Sequence, residues 1–184
     1  MTDAFRIETP LTTGSVEKLR IGDRVLLSGY IYSARDAAHH LLVELLKKGE
    51  SLPFDISGQV VYYVGPTPPK PGQAVGAAGP TSSYRMDAYA PLRMENGLKG
   101  MIGKGARNQA VKEAMETHTA VYFAAIGGAG ALISRSILSA EVVAYPELGT
   151  EAIRKMQVKE FPLIVANDSH GGDLYETGSK TYRR

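Results

Sequence analysis

The stretch "RVLLSGYIYSARDAAHHLLVELLKKG" (residues 24–49) decides the fold class. Its first eleven residues, 24–34, are apolar with β-branched and aromatic members, the composition of a strand. The pattern then changes. Asp36 stands where a helix N-cap belongs, and Leu41, Leu42, Leu45 and Leu46 recur on one helical face. Lys47 and Lys48 fall in the last turn, and Gly49 closes it. A strand running straight into an amphipathic helix is the unit of an α/β protein.

Working outward, a short strand is expected over 4–8 and a helical turn before Asp23. "GQVVYYVGP" (58–66) reads as a strand ending in Gly-Pro. "PLRMENG" (91–97) reads as a short helix, and "LKGMIGKG" (98–105) as a brief strand. "ARNQAVKEAMETH" (106–118) is helical, with Ala110, Val111, Ala114 and Met115 on one face. Strands follow at "TAVYFAAIGG" (119–128) and "ILSAEVVAY" (137–145). "GTEAIRKMQV" (149–158) is expected to be a helix capped by Thr150, with Pro162 just beyond. "FPLIVAND" (161–168) makes a last strand before a polar tail. Strands alternate with helices, so the class is α/β, and there is no internal repeat.

The 184 residues suit one domain, 1–184, with a substantial core. Five prolines lie between 66 and 80. A linker there would leave a first piece too small to be stable alone, so a long loop crossing one domain is the better reading. At 43% hydrophobic and 22% charged, the chain is expected to be globular. No apolar run reaches 18 residues, and the N-terminal "MTDAFRIETP" lacks a signal core, which predicts a cytoplasmic protein away from membranes. A net charge of +2, spread along the chain, does not form a nucleic-acid footprint. The basic end "SKTYRR" reads as a solvated terminus. The absence of cysteine excludes disulfides, thiolate nucleophiles and thiolate metal sites within these residues.

Several phosphate motifs fail on spacing. "GLKGMIGKGA" has no glycine four residues before Gly103-Lys104, and Gly105 stands where Ser or Thr should hold magnesium. "GKGARN" and "GGAGA" (127–131) miss the dinucleotide pattern. His39 and His40 are adjacent and so point about 100° apart on a helix. Glu44 lies a turn from His40, but no third ligand is in view, so packing or a hydrogen bond near the helix start explains a histidine better than a metal does.

Three cations stand out instead. Arg35 precedes a helix whose first-turn amides favour an anion. Arg85 follows the hydroxyls of Thr81, Ser82 and Ser83 in "GPTSSYRMDAY" (79–89), and Lys104 lies between two glycines before another helix. Local ion pairs, Arg35 with Asp36 and Arg85 with Asp87, are the plainer alternative for each. Taken together the three point to a pocket for a small polyanion, a dicarboxylate or a phosphate, because charge-assisted bonds contribute roughly 1.5–3 kcal/mol each.

"YYVGPTPPKPGQAVGAAGPTSSYRMDAYAP", "GLKGMIGKGA", "AVYFAAIGGAGALI", "VVAYPELGTEAIRKMQVKEFPLIVANDSHGGDLY" and the upstream "SARDAAHH" together resemble the β subunit of two-subunit class I fumarate hydratases, or the C-terminal domain of the single-chain enzymes. The resemblance runs from about residue 5 to 176. It implies a swivelling β/β/α domain and the reversible hydration of fumarate to L-malate. It implies a [4Fe–4S] cluster held elsewhere, on a cysteine-bearing α subunit. On the matching positions it implies proton transfer by Thr81 and substrate-carboxylate binding by Arg35, Arg85 and Lys104. The chain departs from the family pattern at Ser82, where a second threonine is usual, and at Tyr84, where a smaller residue is usual. The tartrate dehydratases share this subunit type, so a tartrate dehydratase β subunit is the close alternative. A non-catalytic dicarboxylate- or phosphate-binding module is the alternative from another class. A homodimer of the isolated chain is a further expectation.

Overall fold

The computed structural model describes residues 4–182. Among the described residues there are seven strands: β1 (Phe5–Glu8), β2 (Arg24–Ser33), β3 (Val60–Tyr62), β4 (Gly100–Gly103), β5 (Val121–Ala124), β6 (Ile137–Ala144) and β7 (Ile153–Asn167). The α-helices are α1 (Thr13–Val16), α2 (Asp36–Lys47), α3 (Ala90–Glu95), α4 (Gln109–His118), α5 (Gly130–Ile133) and α6 (Leu174–Tyr182), with 3-10 turns at Ser83–Met86, Ser134–Ser136 and Pro146–Glu151. The α/β class expected from the sequence is present. Among the described residues no helix is long and apolar enough to cross a membrane.

The strands close on themselves. β2, β3, β4 and β5 pair in parallel, β7 pairs antiparallel to β5, and β7 also pairs antiparallel to β2. β1 extends the first half of β2, and β6 extends the first half of β7. Alternation along the strands then separates two cores. Val60, Tyr62, Ile102, Val121 and Phe123 face inward with Leu27, Met156 and Phe161. Val61, Tyr63, Met101 and Tyr122 face outward onto Ala38 and Leu42 of α2, Met94 of α3, and Val111 and Met115 of α4. Two β layers and one helical layer result, with the helices supplied by crossovers between parallel strands.

The helix expected at 149–158 is not there. Residues 146–151 form a 3-10 turn, and from Ile153 the chain enters the 15-residue strand β7. Thr150 therefore caps nothing. Ala152, Ile153 and Met156 are all buried, and their spacing also matches a helical face, which is the source of the misreading. Pairing to β2 on one side and β6 on the other overrides it. Pro162 is tolerated inside β7 because it lies between the stretches registered with β6, which ends at Val158, and with β5, which begins at Ile164. The tail also differs, since residues 174–182 are helical; the two terminal arginines of "SKTYRR" lie outside the described residues. The proline-rich stretch is an ordered loop: Thr67 N–H donates to the Ala77 carbonyl at 3.0 Å, its carbonyl accepts from Gly76 N–H at 2.9 Å, and its hydroxyl accepts from Ala77 N–H at 2.8 Å.

Candidate functional site

Parallel strands leave their carboxyl ends together, and ligands bind there in open α/β sheets. Arg35 follows β2 and immediately precedes α2. Thr81 is tied to the end of β3, its N–H donating to the Tyr63 carbonyl at 2.7 Å. Lys104 follows β4, and its N–H donates to the Thr81 carbonyl at 3.2 Å, while Ser83 N–H donates to the Lys104 carbonyl at 2.8 Å. Ser82 and Lys104 thus form a parallel bridge. The loop after β5 closes the group, since Gly127 lies against the Lys104 side chain.

Glycines make this approach possible. A methyl at Gly103 would overlap the Ser83 hydroxyl and press on the Tyr63 ring. A methyl at Gly65 would come within 3.2 Å of an Arg35 Nη and 3.1 Å of the Thr150 carbonyl. The Gly103-Lys104-Gly105 turn is fixed from below. The Ser83 hydroxyl donates to the Tyr122 hydroxyl at 2.9 Å, which donates to the Gly105 carbonyl at 2.8 Å. Gly105 N–H donates to the Tyr175 hydroxyl at 3.0 Å.

The arginines share one carboxylate. Arg85 Nε donates to Asp36 Oδ1 at 2.9 Å, and Arg35 Nη2 stands 3.8 Å from Asp36 Oδ2. Glu151 Oε1 lies 3.5 Å from the same Arg35 nitrogen, and Glu151 Oε2 accepts from Ala37 N–H at 3.2 Å. Three sequence expectations change here. Asp36 does not cap α2: Arg35 is the N-cap residue and makes no side-chain cap bond. The anion at the start of α2 is the chain's own Glu151. And Asp87, offered as a local partner for Arg85, instead accepts from buried Arg107 Nε at 2.6 Å and from Asn108 N–H at 2.8 Å. Glu151 went unnoticed because its segment read as the first turn of a helix.

Among the described residues, the hydroxyls of Thr81 and Ser82 and Lys104 Nζ make no hydrogen bond or ion pair, and Lys104 is exposed. Beneath the site lies a polar underlayer. His39 is buried, and its Nδ1 bonds the Arg35 carbonyl at 2.9 Å, the role expected of a histidine at this helix start. Burial holds its imidazole well below its ordinary range, and the charges of Arg93 and Arg107 add to the effect. The ring is therefore neutral, and Nδ1 carries the proton it donates to the carbonyl. Arg107 stacks over Tyr63 and Tyr122 at 5.4 and 5.0 Å. Arg93 is fully buried, and its side-chain nitrogens are unpartnered.

The arrangement suits a small diacid: Arg35 and Lys104 follow β2 and β4, Arg85 lies on the 3-10 turn bonded to Lys104 through Ser83, and the hydroxyl-bearing Thr81 and Ser82 stand on the same loop. It does not suit an iron–sulfur cluster held by these residues. The sequence has no cysteine, and among the described residues no group of three or more His, Cys, Asp or Glu is placed to hold a metal ion.

Comparison with known proteins agrees in kind. A family model described as "Fumarase C-terminus" matches residues 2–178. The chain is 39% identical over 177 residues to a Methanocaldococcus jannaschii protein described as "Putative L(+)-tartrate dehydratase subunit beta", covering 92% of this chain and 90% of that one. It is 40% identical over 158 residues to "Fumarate hydratase class I, aerobic" of Escherichia coli, and 38% identical over 157 residues to "Fumarate hydratase 2" of Leishmania major. These matches cover 85% and 84% of this chain, but the chain spans only 29% and 28% of those two relatives.

Proposed function

Because the chain belongs to the family of the fumarase C-terminus, we propose that it is the β-type part of a class I fumarate hydratase, a hydro-lyase interconverting fumarate and L-malate. The observation that supports this reading is that the loops after β2, β3 and β4 are joined: Arg85 bonds Asp36 beside Arg35, and the Thr81 and Ser83 backbones bond that of Lys104. In it, Arg35, Arg85 and Lys104 bind the substrate carboxylates. Removing a proton next to a carboxylate builds further negative charge on that group. Fixed cations stabilise the charge where it develops. Thr81 exchanges the proton at the substrate carbon. An unassisted threonine hydroxyl is a weak base, and the nearby cations lower the cost of its alkoxide. The two β layers and one helical layer support the finer fold assignment, a swivelling β/β/α domain.

The cluster belongs outside these residues, on a cysteine-bearing α subunit. Support for such a partner comes from the rim. Tyr84, between Thr81 and Arg85, is 69% exposed, and Ile126, beside Gly127, is 66% exposed. Large apolar side chains flanking a site in this way suit burial against another surface.

A tartrate dehydratase is the second reading. It is favoured by the M. jannaschii match, which spans nearly the full length of both chains. Co-producing the chain anaerobically with a cysteine-bearing α subunit, then assaying fumarate, L-malate and both tartrates, separates the readings. The proposal expects brown protein that turns over fumarate and malate. Turnover of tartrate alone reverses the order. A colourless chain that binds dicarboxylates by itself, with no dehydratase activity in the assembly, points to a binding module instead.

A further inference from the structure

We propose that Asp36 is a positioning residue that aims both arginines at the substrate; the inference rests on the hydro-lyase reading above. Its geometry differs from that of an ordinary surface ion pair. Asp36 is the first residue of α2, so its Cα is held by a 12-residue helix. Arg85 comes from a 3-10 turn 49 residues away and uses Nε alone on Asp36 Oδ1. No other hydrogen bond of the Arg85 side chain exists among the described residues. A guanidinium held at Nε still presents its two terminal nitrogens as a fork, the geometry that binds a carboxylate bidentately. The contact therefore orients Arg85 without using up the edge needed for substrate.

Arg35 is treated differently by the same carboxylate. Its Nη2 lies 3.8 Å from Asp36 Oδ2 and 3.5 Å from Glu151 Oε1, and its side chain makes no hydrogen bond to either. Arg35 Nε and Asp36 Oδ2 are both buried without a hydrogen-bond partner. Buried polar atoms left in this way are expected to have a use. Two carboxylates thus hold the guanidinium in place by charge while its terminal nitrogens, which make no hydrogen bond among the described residues, stay open to an acceptor that arrives later. Side-chain exposure of 23% for Arg35 and 31% for Asp36 keeps that charge interaction only partly screened. Asp36 accordingly steers one arginine by a hydrogen bond and the other by charge, and a one-carbon displacement of its carboxylate disturbs both.

Steady-state kinetics of the assembled enzyme with Asp36→Glu, Asp36→Ala and Asp36→Asn tests this. Asp36→Glu keeps the charge and suits a helix start, but moves the carboxylate. The expected result is a KM for the dicarboxylate raised at least about 5-fold with an unchanged Tm, because aim and not net charge is lost. Asp36→Ala is expected to raise KM at least about 10-fold. Asp36→Asn retains an acceptor for Arg85 Nε but not the charge that holds Arg35, and is expected to raise KM clearly less than Asp36→Ala does. An unchanged KM in Asp36→Glu, or a KM in Asp36→Asn as poor as in Asp36→Ala, overturns the proposal, whatever happens to Tm. Failure of the wild-type assembly to turn over fumarate, malate or either tartrate overturns the hydro-lyase reading, and this inference with it. Normal wild-type turnover with insensitive Asp36 variants overturns this inference alone.

Discussion

Inside the strand ring, aliphatic and aromatic side chains fill the space, and the one tyrosine among those named there, Tyr62, donates its hydroxyl to the Ala78 carbonyl at 2.5 Å and sets its ring edge-on to Phe161 at 5.4 Å. On the other side of β3, β4 and β5, the core beneath the helices has equally well buried apolar residues, yet it also encloses His39, Asp87, Arg93 and Arg107. The same three strands feed both. The difference shows where the chain spends stability on polar groups. Burying charge is costly unless it is paired, and the cost falls on the layer that supports Arg35, Thr81 and Lys104. Asp87 and Arg107 brace the segment that carries Arg85 against α4, and His39 holds the carbonyl of Arg35. The ring supplies cohesion, and the polar layer supplies position.

The contrast is open to test by stability measurements. Phe161→Ala inside the ring is expected to cost about 3–5 kcal/mol in chemical denaturation, as transfer and cavity terms combine. Asp87→Ala, which leaves Arg107 buried and uncompensated, is expected to cost a similar amount, about 3–5 kcal/mol. The two losses differ in remedy. Replacing both partners with apolar side chains, Asp87→Leu with Arg107→Met, is expected to recover most of the second loss while the turn carrying Arg85 loses its brace. A double variant no more stable than Asp87→Ala would mean that the pair holds the core together in its own right, and the contrast between the two cores would fail.

A smaller effect tests the polar layer through pH. His39 has a folded-state pKa well below its unfolded value, chiefly through burial. The unfolded chain therefore binds the extra proton first. The contribution of His39 to stability is fully present above about pH 6.5 and declines as pH falls toward the folded-state value. Between pH 7.5 and 5.5 this group is expected to lower the stability of the folded chain. Urea unfolding of wild type and His39→Asn at both pH values checks it, since the variant is expected to lack that share of the decline. Equal declines in the two proteins would place the buried, neutral histidine in doubt.

Much of the architecture was legible because local pattern and tertiary partner agree. The strand-to-helix change at residues 33–36 and the α4 face bearing Val111 and Met115 are examples. The reading failed where they disagree. Residues 152–156 carry a spacing compatible with either period, and only pairing with β2 and β6 selects the strand. The site residues were legible as types, since cations beside glycines and hydroxyls stand out in any sequence. Their partners were not. The bond between Arg85 and Asp36 spans 49 positions and that between Ala37 and Glu151 spans 114, and no local signal encodes either. Sequence neighbours offered Asp87 as the partner for Arg85, and the fold assigned Asp87 to Arg107.

The most direct test of the central claim is the turnover of Thr81→Ala in the cluster-loaded assembly, measured beside wild type with the preferred dicarboxylate. If Arg35, Arg85 and Lys104 hold the substrate and Thr81 moves its proton, kcat falls by at least about 100-fold while KM stays within about 3-fold, the signature of an interaction made in the transition state. A Thr81→Ala enzyme turning over within about 2-fold of wild type would contradict the assignment, because a proton-transfer group cannot be removed at so small a cost.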